Sequence, residues 1–331
     1  IKEGLKQCNQ VLQIMKKGIT FFLTLFVAQI VFSQTQSQQD STTNNLVHEV
    51  GYKTSEYGAI PEYTKAGTGS HTLILIPGLG FDASVFKDFI EANKNRFTMY
   101  AITIPGFGIT TAAPMPDSNV SYGEQSWNKG VVQGLVKLIE KEKLQKPTVV
   151  GHFILGTQIA LRMAIDYPDK VGSVIILGGA IKFIASMNDT LRDYPLATMC
   201  NITDNYTAPI WFKHMKKDFF DDGNFKPSIY SLNEKTGSAL WNQVKEVPLP
   251  VIIRYSCEYF ASNITPELNK IKCPVLVLRA TFRKNILNAP LNKNWIQPQF
   301  ITSWSKATDV NRLIEVIDIP NASTFVWKDN P

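Results

Sequence analysis

The sequence predicts an α/β protein built on a mostly parallel, doubly wound sheet, with a helical cap inserted late in the chain. Three observations carry this. Six short apolar runs are continuous rather than alternating in hydrophobicity, as strands covered on both faces are. Helical patterns separate several of these runs, which calls for parallel strands joined by right-handed crossovers. One long block, rich in aromatic residues, breaks the alternation.

In chain order, the apolar runs place strands at 71–77, 97–105, 147–151, 172–177, 274–278 and 313–319. Segments 47–52 and 59–63 read as a leading hairpin. A helix at 83–91 follows the first long strand. A second, at 126–142, precedes the third strand and sets Val131, Leu135, Leu138 and Ile139 on one face. A third, at 157–167, follows that strand with Ile159, Ala160, Met163 and Ala164 inward. Residues 46–180 and 271–331 thus form the core. The block at 181–270 includes a helical stretch at 208–220 and holds Trp211, Phe212, Phe219, Phe220, Tyr230, Trp241, Tyr259 and Phe260. It reads as a cap roofing the strand ends, the alternative being ordinary helical decoration.

The N-terminal residues are expected to stay out of this fold. Met15, Lys16 and Lys17 precede an apolar run at 18–32, too short for a membrane span but suited to the core of a signal peptide. Small Ser33, with Val31 two before it, suits cleavage after Ser33. Residues 15–33 are therefore read as a signal peptide and 1–14 as a leader. The polar stretch at 34–45 is read as a flexible linker. The expectation is export to the periplasm or the extracellular space, with no stable membrane span after cleavage.

The chain of 331 residues carries 34 Lys and Arg against 28 Asp and Glu, a formal charge of +6. Residues 1–33 hold four of the lysines and one of the glutamates, so the mature charge falls to +3. No basic cluster with interleaved aromatics appears, which speaks against a nucleic-acid partner. Three cysteines remain after cleavage, Cys200, Cys257 and Cys273. The odd number leaves at least one unpaired, and a Cys200–Cys257 bridge stays open. No spacing implies a metal, and no motif implies an organic cofactor. Sequons occur at Asn119, Asn188, Asn201, Asn205, Asn263 and Asn321.

Several short motifs stand in a telling order. Ile76-Pro-Gly-Leu-Gly80 follows one strand and Ile104-Pro-Gly-Phe-Gly108 the next. Val150-Gly-His152 ends the third strand at a sharp turn into a helix, and Ala160-Leu-Arg-Met-Ala-Ile-Asp-Tyr-Pro168 lies in that helix. Ile271-Lys-Cys-Pro-Val-Leu-Val-Leu278 opens a late strand. Over about residues 46–331 this pattern resembles the α/β-hydrolase fold, closest to exported bacterial hydrolases with a helical cap. The resemblance implies a nucleophile on the strand-to-helix turn. It implies a histidine near the C-terminus, a carboxylate that orients it, and two backbone N–H groups forming an oxyanion hole. It also implies a final helix packed on the sheet, which this sequence does not reach.

Laid on the resemblance, the reacting positions carry the wrong side chains. Phe153 stands at the nucleophile position, flanked by Gly151 and His152 before and Ile154 and Leu155 after. The oxyanion donors fall on the backbones of Leu79 and Ile154. Leu155 replaces a second small residue of the elbow. Thr324 stands at the base position, and no histidine lies beyond His214. Gly178, followed by Gly179, stands at one acid position, and no Asp or Glu occurs from Cys273 through Thr308, where the other would be.

Phenylalanine cannot form an acyl intermediate. A bulky residue on so strained a turn predicts that the elbow relaxes and that the Phe153 ring fills the pocket floor. His152 is read as a support, His71 and Thr157 as structural, and His214 as a surface or packing residue. Three functions stay open: an inactive relative retained for a ligand or partner, with a small apolar ligand under the cap; an active hydrolase with an unexpected nucleophile; and a defective or partial copy of an active one. No substrate is named by the fold.

Overall fold

The computed structural model describes residues 55–187, 190–218, 227–288 and 295–331. The expected leader, signal peptide, linker, segment 47–52, Asn188 and the end of the 208–220 helix lie outside them.

The first strands are β1 (Glu62–Ala66), β2 (His71–Ile76), β3 (Phe97–Thr103), β4 (Thr148–His152) and β5 (Ser173–Leu177). A small hairpin, β6 (Ala185–Met187) and β7 (Thr190–Arg192), comes next, and β8 (Val275–Ala280) and β9 (Ile314–Ile319) complete the series. Seven of these form one sheet in the order β1-β3-β2-β4-β5-β8-β9. All neighbours in it are parallel except β1, which runs antiparallel to β3. The doubly wound sheet expected from the continuous apolar runs is therefore present. Ile74, Leu75, Ile76, Ala101, Ile102, Val149 and Ile176 are fully buried in it, as strands sandwiched between helices are.

Among the described residues, the helices that position the site are α1 (Lys87–Asn93), α2 (Ser126–Lys141), α3 (Leu155–Asp166), α4 (Leu196–Ile202), α5 (Ala208–His214), α6 (Glu234–Glu246) and α7 (Leu249–Phe260). The expected 83–91 helix divides into a 3₁₀ turn at Ala83–Phe86 and α1, because the Asp82 carboxylate accepts from Ser84 N and tightens the first turn. The expected 208–220 helix ends at His214 and is preceded by α4 and a wide turn at Thr203–Thr207. The segment expected as 59–63 becomes strand β1, paired with β3.

The block between β5 and β8 packs over the C-terminal ends of the strands. Val244 of α6 lies against Gly80, just past β2, and Val251 of α7 lies against Gly106, just past β3. The Tyr255 hydroxyl donates to Pro105 O at 3.0 Å. A buried ion pair fixes the same joint. Glu258 of α7 accepts from Trp127 N and Asn128 N at the start of α2, each at 2.9 Å. Arg254 donates to Glu258 through Nε and Nη2, at 3.0 and 2.8 Å. A carboxylate at a helix N-terminus meets unpaired N–H groups and the positive end of the helix dipole.

Cys200, Cys257 and Cys273 are all free thiols, so the Cys200–Cys257 bridge is not formed. Cys200 instead donates to Ala261 O. No helix among the described residues is long and apolar enough to cross a membrane.

Candidate functional site

Strand β4 ends at His152, and α3 begins at Leu155. Between them Phe153 holds φ at +56°. The turn has not relaxed, contrary to the expectation from side-chain bulk. A left-handed conformation costs a bulky residue on the order of 1–3 kcal/mol. Phe153 N donates to Leu177 O at 3.1 Å, tying the turn to the end of β5. The Thr157 hydroxyl donates to Phe153 O from one turn into α3.

The ring is 3% exposed. It stacks on Phe300 with centroids 5.5 Å apart and meets Tyr230 edge-on at 5.8 Å. Burying an aromatic side chain contributes about 2–3 kcal/mol, and well-placed ring pairs add roughly 0.5–1.5 each. Packing therefore exceeds the strain, and the turn persists.

Leu155 is buried at the first position of α3. The close approach falls one residue later, at Gly156, where a Cβ would stand 2.5 Å from Ile76 O and 2.6 Å from Pro77 O. Gly151 faces the same crossing, 2.4 Å from Gly156 O by the same measure.

The base and acid positions meet in space. Gly178 has φ +53°, and a Cβ there would stand 2.2 Å from Thr324 O. A carboxylate side chain has no room at this position unless the Thr324 backbone moves. Thr324 is fully buried. Both its N–H and its hydroxyl donate to Ile229 O, at 3.0 and 2.9 Å. Phe325 follows, in edge contact with Phe81 at 5.0 Å.

His152 completes the enclosure. Its ring is 4.2 Å from Phe325, 4.9 Å from Trp327 and 6.0 Å from Phe81. It is fully buried, and neither ring nitrogen has a hydrogen-bond partner among the described residues. Burial pushes its pKa down to about 3, with the Thr324 backbone acting in the opposite sense. His152 is thus a neutral ring among rings. His71 and His214 are exposed, His214 at the end of α5.

Among the described residues, neither Leu79 N nor Ile154 N is taken by another group. These two N–H groups are the expected oxyanion donors. Two of the site's hydroxyls are engaged: Thr157 on Phe153 O and Thr324 on Ile229 O. No group of three or more His, Cys, Asp or Glu among the described residues is placed to hold a metal ion.

Three participants carried no recognisable signal in the sequence. Tyr230 was legible only as one aromatic of the inserted block. Phe300 lies in a segment with no motif. Asp329 accepts from Ser231 Oγ, Leu232 N and Ser323 N, at 2.6, 3.0 and 2.8 Å. It joins the end of the chain to a segment nearly a hundred residues earlier.

The family model for the alpha/beta hydrolase family matches residues 73–328. The chain belongs to the alpha/beta hydrolase family. Among curated members, a pimeloyl-[acyl-carrier protein] methyl ester esterase of Wigglesworthia glossinidia brevipalpis is 27% identical over 47% of this chain and 52% of its own length. A 2-hydroxy-6-oxononadienedioate/2-hydroxy-6-oxononatrienedioate hydrolase of Paraburkholderia phymatum is 30% identical over 35% of this chain and 39% of its own. The chain thus spans about half or less of these two relatives. Among solved structures, a hydrolase from Oleispira antarctica superposes with TM-score 0.59 at 13% identity, covering 83% of this chain and 93% of that one. MenH from S. aureus superposes with TM-score 0.59 at 15% identity, covering 81% and 92%. These likenesses concern the fold. Within it, Phe153, Thr324 and Gly178 stand where the sequence resemblance leads one to expect the nucleophile, base and acid.

Proposed function

We propose that this chain is a non-catalytic α/β hydrolase, a pseudo-hydrolase whose former reaction centre has become packed core. The observation that carries the reading is Phe153 at φ +56°, its ring buried between Tyr230 and Phe300. The backbone that would project an attacking oxygen is intact, and a phenyl ring occupies it. Acyl transfer needs a nucleophile, a base within hydrogen-bond reach and an orienting acid. Phe153, Thr324 and Gly178 supply none of these.

The proposal includes export through the signal peptide at 15–33, a cap at 181–270 over the strand ends, and a small apolar ligand as the retained partner beneath it. Release to the periplasm or the medium with a mature N-terminus at Gln34 is the expected outcome, read by intact mass.

A second reading, an active hydrolase with another nucleophile, draws on the unengaged N–H groups of Leu79 and Ile154. A site stripped of its triad retains roughly 10³–10⁴-fold acceleration over water from binding and the oxyanion hole. The hydroxyls of Thr157 and Thr324, however, are engaged with backbone carbonyls. A serine-directed fluorophosphonate probe separates the readings. The purified chain should stay unlabelled; one-to-one labelling at a single mapped residue would establish the second reading.

A further inference from the structure

The segment Ser228–Leu232 leaves the 3₁₀ turn Pro227–Ile229 and precedes α6. It lies along the chain's last residues with successive backbone carbonyls engaged. Ser323 Oγ donates to Ser228 O at 2.6 Å. Thr324 donates twice to Ile229 O, and Phe325 N donates to Tyr230 O at 3.0 Å. Asp329 closes the far end by accepting from Ser231 Oγ and Leu232 N while also holding Ser323 N. The segment delivers one side chain inward. The Tyr230 ring meets Phe81 edge-on at 5.1 Å, Phe153 at 5.8 Å, Phe325 at 6.1 Å and Trp241 at 6.3 Å. Tyr230 is 3% exposed.

Two of the substituted positions serve this arrangement. Phe153 packs against the Tyr230 ring with an interplanar angle of 75°. Thr324, at the base position, spends its hydroxyl on the segment's backbone. Gly178 contributes indirectly, since its lack of a side chain lets the Thr324 backbone lie where it does.

We propose that Ser228–Leu232 is a strap that makes the chain its own ligand: it seats the Tyr230 phenol in a box of four aromatic rings, and Asp329 clasps it shut. The inference rests on the reading of an apolar site beneath the cap and names the chemistry that site takes, a planar aryl group the size of a phenol. The wild-type chain is closed to an added aryl compound because the strap occupies the box. Loosening the clasp exposes it.

The test uses the full chain, with p-cresol as the probe, since it is the tyrosine side chain detached from its backbone. Amide hydrogen exchange is followed at Leu232 and Phe325, whose N–H groups report the two ends of the strap. Asp329→Ala removes a charged acceptor with three donors. It should speed exchange at both amides by roughly tenfold or more while amides of β4 and β5 stay protected. Ser231→Ala, a milder variant that keeps the carboxylate, should speed exchange at the same two amides by less. Tyr230→Ala should bind p-cresol with a saturable rise in Tm that the wild type does not show.

Exchange at Leu232 and Phe325 unchanged in both Asp329→Ala and Ser231→Ala would overturn the clasp. Tyr230→Ala that ignores p-cresol would overturn the aryl box. Fluorophosphonate labelling of the wild type would instead remove the non-catalytic reading, so the two failures are told apart.

Discussion

Two ionisable groups are buried beneath or beside the same inserted block, and the molecule treats them in opposite ways. Glu258 meets the two N–H groups that open α2 and the guanidinium of Arg254. His152, at the end of β4, lies among aromatic rings, and neither of its nitrogens has a hydrogen-bond partner among the described residues. The joint between α2 and α7 gives the Glu258 carboxylate three donor groups because a bare charge there would be costly. Around the β4 turn the contacts are ring packing, with a neutral imidazole serving as one ring among several. On the proposed reading, polar groups are kept where they hold the architecture together and lost where they would act on a substrate.

The largest expected effect breaks the first half of the comparison. Glu258→Ala strands Arg254 in the interior and frees two N–H groups of α2. It should cost about 3–5 kcal/mol in urea unfolding. A loss below about 1 kcal/mol would mean that water reaches the joint and that the pair is not the anchor described.

Next comes the ring at the turn. Phe153→Ala should cost about 3 kcal/mol, by lost burial and a cavity between Tyr230 and Phe300. Phe153→Gly removes the same ring but relieves the positive φ, so it should be more stable than the alanine variant by about 1 kcal/mol. Equal stabilities for the two would show that the turn is not strained in solution.

The pH dependence sharpens the second half. The His152 pKa falls from an ordinary 6.5 to about 3 in the fold. The unfolded chain therefore binds a proton there that the folded chain refuses across that interval. Stability from this group is full above about pH 6.5 and is lost as pH falls toward 3, by about 1.4 kcal/mol per pH unit at most. In a comparison of unfolding free energies across pH 4–7, His152→Leu should show a shallower acid slope than the wild type. Parallel slopes would mean that His152 is already solvated or paired.

The smallest expected effect is on activity. Restoring Phe153→Ser, Leu155→Gly and Thr324→His together should give no ester turnover above background. The acid is still missing, Gly178 has no room for one, and a histidine at 324 must displace the contact to Ile229. Robust turnover by that triple variant would show that the strap yields more readily than its hydrogen bonds imply.

Most of the sheet was legible because buried parallel strands announce themselves as unbroken apolar runs. Ile74–Ile76, Val149–Val150 and Val174–Leu177 could hardly be anything else. The turn at Phe153 was placed correctly from Gly151, His152 and the helix that follows, but its conformation was misjudged. Strain can be weighed from one residue; the compensating stack on Phe300 depends on a residue far along the chain. The need for Gly156 is illegible in the sequence, because the close approach of Ile76 O comes from the end of a different strand. The strap was illegible for a related reason. Its bonds join 228–232 to 323–329 largely through backbone groups on one side of each pair, and backbone groups leave no mark in a sequence.

The central claim is that packing has replaced acyl chemistry at the β4 turn, and steady-state turnover of p-nitrophenyl butyrate by the purified chain at pH 7–9 tests it most directly. The account predicts a rate indistinguishable from buffer at every protein concentration. Saturable turnover that scales with folded protein and disappears on unfolding would contradict it.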